Sequence, residues 1–78
     1  MLYSFPMPHI EFKLTTDHIA LCDLLKLTGL ADSGGRGKAL IAEGLVRVNG
    51  QVDTRKTAKI RAGQQVEFGG TTIHIQGQ

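Results

Sequence analysis

The sequence has few of the residues on which cross-linked folds and enclosed active sites depend. It contains one cysteine, two prolines, one tyrosine, three phenylalanines and no tryptophan. With Cys22 as the sole cysteine, an internal disulfide is excluded, which fits a reducing compartment. No apolar run approaches the roughly 20 residues that a membrane-spanning helix needs. At 78 residues the chain predicts one domain with a small core, in which a large enclosed active site is hard to build.

The first nine residues predict a flexible lead-in rather than a targeting signal. Pro6 and Pro8 interrupt regular strand pairing, and the stretch has neither a basic start nor a continuous apolar core. We therefore expect a cytoplasmic protein whose single domain spans residues 10–78.

Residues with catalytic or metal-binding chemistry are not grouped along the chain. His9, His18 and His74 lack the spacing of metal ligands, and no second cysteine is present. A nucleotide-hydrolysing phosphate loop would need glycine at position 32 and serine or threonine at position 39, where the sequence has Asp32 and Ala39. The sequence therefore predicts a protein that is not an enzyme, with no catalytic residue, no metal site and no cofactor.

A helix followed by a hairpin is predicted in the middle of the chain. Ser33 can accept a hydrogen bond from a free N–H of the first turn, and Gly44 is typical of a helix end. Valines then alternate with Arg47 as in a strand, and Asn49-Gly50 is a strong signal for a two-residue turn.

The sequence does not determine the strand register of the segment after this turn. A strict two-residue turn pairs Arg47 with Val52 and places both side chains on one face of the sheet. Either both faces of the sheet are partly covered, or a bulge moves Val52 to the other face.

The flanking segments complete an α+β pattern. Leucines at positions 21, 24, 25 and 27 predict the apolar face of a first helix that ends at Gly29. Residues 10–14 alternate as a strand, and its expected partner is the C-terminal strand that contains Ile73 and Ile75. The predicted fold is two short N-terminal helices packed on a small, mostly antiparallel sheet.

Positive charge is concentrated in one part of the chain. Residues 36–61 contain seven basic and two acidic residues, a local charge of +5, whereas the rest contains two basic and five acidic residues, a charge of −3. Such a basic half on a protein of net charge +2 is typical of a surface that binds polyanions, although charged side chains also simply solvate a strand. Residues 53–59 predict either a mobile basic arm that follows a nucleic-acid backbone or a solvated connection.

Glycines open the second helix at Gly34, Gly35 and Gly37. Unpaired N–H groups and the helix dipole favour an anion at a helix N-terminus, and Arg36 and Lys38 add positive charge there. The alternative is that these glycines only allow two helices to turn and pack closely. The stretch alone does not separate the two interpretations.

The spacing of these residues resembles the RNA-binding domain named after the fourth protein of the small ribosomal subunit, also called the alpha-L motif. The resemblance covers residues 21–68, and the sequence is most similar to small stand-alone bacterial members of the family. The resemblance rests on Leu21, Leu24-Leu25, Gly29-Leu30-Ala31, Ser33, Ile41, Gly44, Val46, Val48-Asn49-Gly50, Gly63 and Val66. The sequence departs from the family at Gly34, where the family usually has arginine.

The resemblance implies a ribosome-associated protein that binds structured RNA, either ribosomal or transfer RNA, mainly through phosphates. We expect the protein to be a monomer. The residues expected to bind RNA are Arg36, Lys38, Arg47, Arg55, Lys56, Lys59 and Arg61, with Gly34, Gly35 and Gly37 allowing close backbone approach. Because this face has almost no aromatic residues, base stacking and sequence specificity are expected to be minor.

Two other classes of function stay open at this point. One is a protein-interaction or ribosome-assembly module without RNA contact, which an exposed apolar patch near Leu30, Leu45 or Val52 would favour. The other is a fragment of an RNA-modifying enzyme, because domains of this family occur attached to such enzymes. A steep loss of affinity with salt separates RNA binding from both.

Overall fold

A five-stranded sheet and a pair of short helices form the two layers of the computed structural model, which describes residues 9–77. The helices are α1 (Leu21–Leu27) and α2 (Gly34–Ala42). The strands are β1 (His9–Lys13), β2 (Ile19–Ala20), β3 (Val46–Val48), β4 (Gln51–Val52), β5 (Lys59–Ile60), β6 (Gln65–Phe68) and β7 (Thr71–Gln76). Residues 1–8 of the predicted lead-in lie outside the described range, and residue 9 belongs to β1. The predicted fold of two helices on a mostly antiparallel sheet is confirmed.

The sheet has the strand order β1-β7-β6-β3-β4. Its strands pair antiparallel except β1 and β7, which run parallel, with Ile10 opposite Ile73 and Phe12 opposite Ile75. The predicted pairing of the first strand with the C-terminal strand is therefore confirmed. A separate two-stranded sheet pairs β2 with β5 and places Ile19 opposite Ile60.

The core lies between the inner face of the sheet and the helices. Val46, Val66 and Ile73 are fully buried on that face, against leucines of α1 and Ile41 of α2. Leu27 is an exception to the predicted apolar face of α1, because its side chain is 62% exposed. Successive helical residues are separated by about 100°, so Leu27 lies away from the face that the other leucines bury.

The turn at Asn49-Gly50 forms as predicted. Both residues have positive φ, 52° and 85°, as a tight hairpin of this type requires. The strict register holds, since Arg47 pairs with Val52 and Val48 with Gln51. Val52 is 50% exposed and shares the outer face of the sheet with Arg47, so no bulge turns it inward.

Ser33 caps α2 as the sequence predicts. Its hydroxyl oxygen accepts a hydrogen bond from the backbone N–H of Arg36 at 3.0 Å. We expect Ser33→Ala to lower the free energy of unfolding by about 1 kcal/mol, because that N–H loses its partner. Urea unfolding followed by circular dichroism measures the change. Ser33→Asp, which keeps an acceptor, is the control, and equal losses in both variants would contradict a capping role.

Candidate nucleic-acid interface

The loop between β4 and β5 caps helix α1 with its backbone. We call residues 53–58 the 53–58 loop. The N–H of Leu21 donates to the carbonyl of Ala58 at 2.9 Å, and the N–H of Cys22 donates to the carbonyl of Lys56 at 3.1 Å. The residue before α1 makes no side-chain cap, so these carbonyls satisfy two of the donors that a helix start leaves unpaired.

This docking argues against the mobile arm, which is one of the two sequence-based interpretations of residues 53–59. Ala58 is buried, and its N–H donates to the carbonyl of Arg55 at 3.1 Å, which closes a turn inside the loop. The side chains of Arg55 and Lys56 are exposed on this fixed backbone. The sequence missed the docking because its hydrogen-bond partners lie more than thirty positions earlier in the chain.

The three glycines of α2 have different surroundings. A Cβ on Gly37 would lie 2.9 Å from the carbonyl oxygen of Cys22, so the absent side chain lets α2 approach α1. Gly37 is buried there, and close approach of RNA to its backbone is not compatible with this packing. A Cβ on Gly34 would meet nothing within 4 Å, and one on Gly35 would meet only the Ser33 hydroxyl at 3.9 Å. Gly37 therefore serves helix packing, whereas Gly34 and Gly35 leave the start of α2 open.

The backbone of Cys22 contacts both the 53–58 loop and the first half of α2, the two segments that carry most of the predicted cations. Its N–H bonds to the carbonyl of Lys56, and its carbonyl faces Gly37. The 53–58 loop and the first half of α2 therefore both contact the N-terminal end of α1, through the backbone of this one residue. Arg36 and Lys38 flank Gly37 in sequence, and both are exposed.

Lys59 lies close to the same region. It pairs with Ala20, the residue that immediately precedes α1, and its side chain is exposed. Arg61 follows one residue beyond the paired strand β5 and forms an ion pair with Asp17.

Arg47 is not brought together with these residues. It alternates with Val46, which is buried on the inner face, so its side chain lies on the outer face away from the helices. Its cross-strand neighbours there are Glu67 and Val52. Its guanidinium donates to the carbonyl of Gly50 at 3.4 Å. The seven predicted cations therefore do not form one face.

Two carboxylates are held by neighbouring cations. A hydrogen bond from His18, followed in strength by the contact with Arg61, lowers the pKa of Asp17 below its ordinary value. Hydrogen bonds from Arg55 lower the pKa of Asp53, and the Asp53 carboxylate raises the pKa of Arg55. Because both carboxyl pKa values are lowered, the ion pairs persist through neutral pH and are lost only as the pH falls through those lowered values.

Five of the seven predicted cations have no ion-pair partner within residues 9–77, and one of the five is Arg47 on the outer face of the sheet. The other four are Arg36, Lys38, Lys56 and Lys59. All four are exposed, and each belongs to or adjoins the segments that meet at α1. A cation without a carboxylate partner is free to contact a phosphate without first losing an interaction. These four define what we call the free cations.

The other side chains that could carry chemistry are scattered over the described residues. Over residues 9–77, no three side chains among His, Cys, Asp and Glu gather where they could hold a metal ion. Within that range, no helix has both the length and the apolar character required to cross a bilayer. His9 and His74 stack on the outer face of the sheet with ring centroids 4.3 Å apart, and Cys22 is a buried free thiol.

The arrangement of two contacting helices, a following hairpin and a small sheet is the alpha-L fold. It superposes on the solution structure of YbcJ from E. coli with a TM-score of 0.65, at 43% identity, over 97% of this chain and 96% of that chain. The YbcJ structure is described as revealing an alfaL motif involved in RNA-binding.

A family model of the S4 domain matches residues 12–76. Among curated proteins, the chain is 53% identical over 58 residues to the putative RNA-binding protein YbcJ of Escherichia coli (strain K12), which is 74% of this chain and 83% of that protein. The uncharacterized protein YbcJ of Shigella flexneri matches with the same identity and coverage. The chain belongs to the S4 domain family.

Proposed function

We propose that this protein is a non-catalytic RNA-binding protein that contacts the phosphate backbone of structured RNA. The observation that carries this proposal is the meeting of α2 and the 53–58 loop at the start of α1, where the free cations are exposed. Membership of the S4 domain family and the RNA-binding description of YbcJ support it.

Structured RNA suits this surface better than single strands. Proteins that bind single strands stack bases on exposed aromatic rings. In the described part of the chain, both phenylalanines, Phe12 and Phe68, are partly buried and packed against the core. A surface of cations and backbone N–H groups instead reads the shape, phosphates and 2′-hydroxyls of an A-form helix. We therefore propose little dependence on base sequence.

The proposed contacts are the free cations together with Arg55, whose guanidinium keeps unbonded N–H groups, and the open helix start at Gly34 and Gly35. Arg61 contacts Asp17, four residues before α1 begins, and Arg47 lies on the outer face of the sheet. Neither therefore lies beside the start of α1, and neither belongs to the proposed surface. We propose ribosomal or transfer RNA as the target, bound in the cytoplasm by a monomer. The choice of ribosomal or transfer RNA is supported by the family resemblance alone.

The dependence of affinity on salt tests the proposal. With four or five phosphate contacts on a duplex, log affinity should fall with log salt at a slope of about −4. From 50 to 200 mM salt, this corresponds to a loss of affinity on the order of 10²-fold. Fluorescence anisotropy with a labelled RNA hairpin measures it.

The control is an unstructured RNA of the same length, which should bind more weakly. If neither RNA binds at 50 mM salt, or if affinity does not change with salt, phosphate contacts do not carry the function. The proposal then fails.

A protein-interaction module is the second candidate function. It is favoured by Leu45 and Val52, which are 49% and 50% exposed, whereas Leu30 is half-buried against the core. Two exposed apolar side chains are usual on the surface of a protein, since interaction patches normally cover several hundred Å². RNA binding therefore remains the function that the surface supports best.

A further inference from the structure

Asp53 and Arg55 form an asymmetric ion pair at the start of the 53–58 loop. The Arg55 side chain is 77% exposed, whereas that of Asp53 is only 11% exposed. Three hydrogen bonds connect the two residues. The backbone N–H and Nε–H of Arg55 donate to Asp53 Oδ1 at 2.9 and 3.0 Å, and Nη2 donates to Oδ2 at 2.7 Å.

The backbone around this pair is fixed on both sides. The N–H of Asp53 donates to the carbonyl of Val46 at 3.1 Å, which ties the residue to strand β3. The carbonyl of Arg55 accepts from Ala58, whose own carbonyl caps α1. The carboxylate is therefore an anchored acceptor, and the arginine side chain bends back onto it.

The bonds use one edge of the guanidinium and leave the other free. An arginine side chain has five N–H donors, of which Arg55 commits one on Nε and one on Nη2 to Asp53. The remaining three belong to Nη1 and Nη2, and one N–H on each of these two atoms forms the outer edge of the guanidinium. A planar pair of donors of this kind matches two oxygens of a phosphate group.

We infer that Asp53 is a positioning residue for RNA, which holds the guanidinium of Arg55 so that its free edge meets a backbone phosphate. This inference rests on the proposed function and adds to it a role for an acidic residue. An arginine already held in its binding orientation loses less conformational freedom when it binds.

The inference predicts a change in RNA affinity opposite to the change that simple electrostatics predicts. Removing a carboxylate from a surface that binds a polyanion reduces repulsion and should strengthen binding. If Asp53 positions Arg55, removing its charge should instead weaken binding. A loss of affinity also separates positioning from competition. If Asp53 competed with RNA for the Arg55 guanidinium, removing its charge would strengthen binding.

Asp53→Asn is the informative variant, because asparagine keeps an oxygen for the Arg55 backbone N–H and so preserves the turn. It cannot accept through both side-chain atoms. We expect a 3- to 10-fold loss of affinity for the RNA hairpin. Glu43→Gln is the charge-matched control, since Glu43 is an exposed acid in the same basic half of the chain. It should bind as tightly as the wild type or more tightly.

A double-mutant cycle separates positioning from a general effect on the fold. In an Arg55→Ala background, Asp53→Asn should cause no further loss, because no guanidinium remains to be held. Urea unfolding checks that each variant is folded. The inference is overturned if Asp53→Asn binds as tightly as Glu43→Gln, or if its loss persists without Arg55. Wild-type protein that fails to bind the hairpin overturns the proposed function, and this inference with it.

Discussion

Gly37→Val is expected to lower the free energy of unfolding by about 3 kcal/mol, which is a large part of the stability of a domain of this size. A Cβ at this position would lie 2.9 Å from the carbonyl oxygen of Cys22, a backbone atom that cannot rotate away. The added methyl groups enlarge the overlap, so α2 must separate from α1. Urea unfolding followed by circular dichroism measures the loss.

Gly34→Val is the matched control, because it adds the same side chain to the same helix. A Cβ there would meet nothing within 4 Å, so we expect a change within about 0.5 kcal/mol. Similar stability of the two variants would mean that α1 and α2 are not in close backbone contact. It would also remove the contact through which we place α2 beside the 53–58 loop.

The double variant Lys38→Glu/Lys56→Glu is expected to weaken binding to the RNA hairpin on the order of 10²-fold at moderate salt. Each substitution removes one proposed phosphate contact and adds a charge that repels the RNA. The slope of log affinity against log salt should become shallower by about 2, one for each lost contact. Anisotropy titrations across a salt series measure both quantities.

Lys13→Glu/Arg47→Glu supplies the control with an identical change in net charge. Both residues are exposed on the outer face of the sheet, away from the helices. Its affinity should fall by much less, since long-range repulsion between exposed charges is screened by salt. Equal losses in the two variants would indicate that RNA responds to net charge and not to the face formed at α1.

The elements that the sequence predicts correctly depend on neighbouring residues. Ser33 needs only the N–H of Arg36, three positions later, and Asn49-Gly50 contains the conformational preferences of its own turn. The alternation of Arg47 with Val46 and Val48 likewise predicts that the Arg47 side chain faces away from the core. Contacts with the rest of the fold have little effect on these local features.

The features that the sequence leaves undecided depend on distant backbone atoms. In the sequence, Gly37 is equally consistent with a ligand site and with close helix packing, and only its contact with the Cys22 carbonyl distinguishes the two. The 53–58 loop looks like a free arm because hydrogen bonds to α1 have no side-chain signature. The aspartate two positions before Arg55 was a usable signal for their interaction, since such spacing is typical of side-chain-to-backbone turns.

The parallel pairing of β1 with β7 has a consequence for synthesis of the protein. It joins positions 9 and 72 of the chain, so its loop-closure entropy is the largest in the sheet. The helices and the β3–β4 hairpin can form from nearby residues while translation continues. During translation, β1 stays unpaired with β7 until β7 emerges from the ribosome. We therefore expect docking of β1 to be a late step in folding, and its unpaired backbone to be the part of the nascent chain most exposed to misassociation.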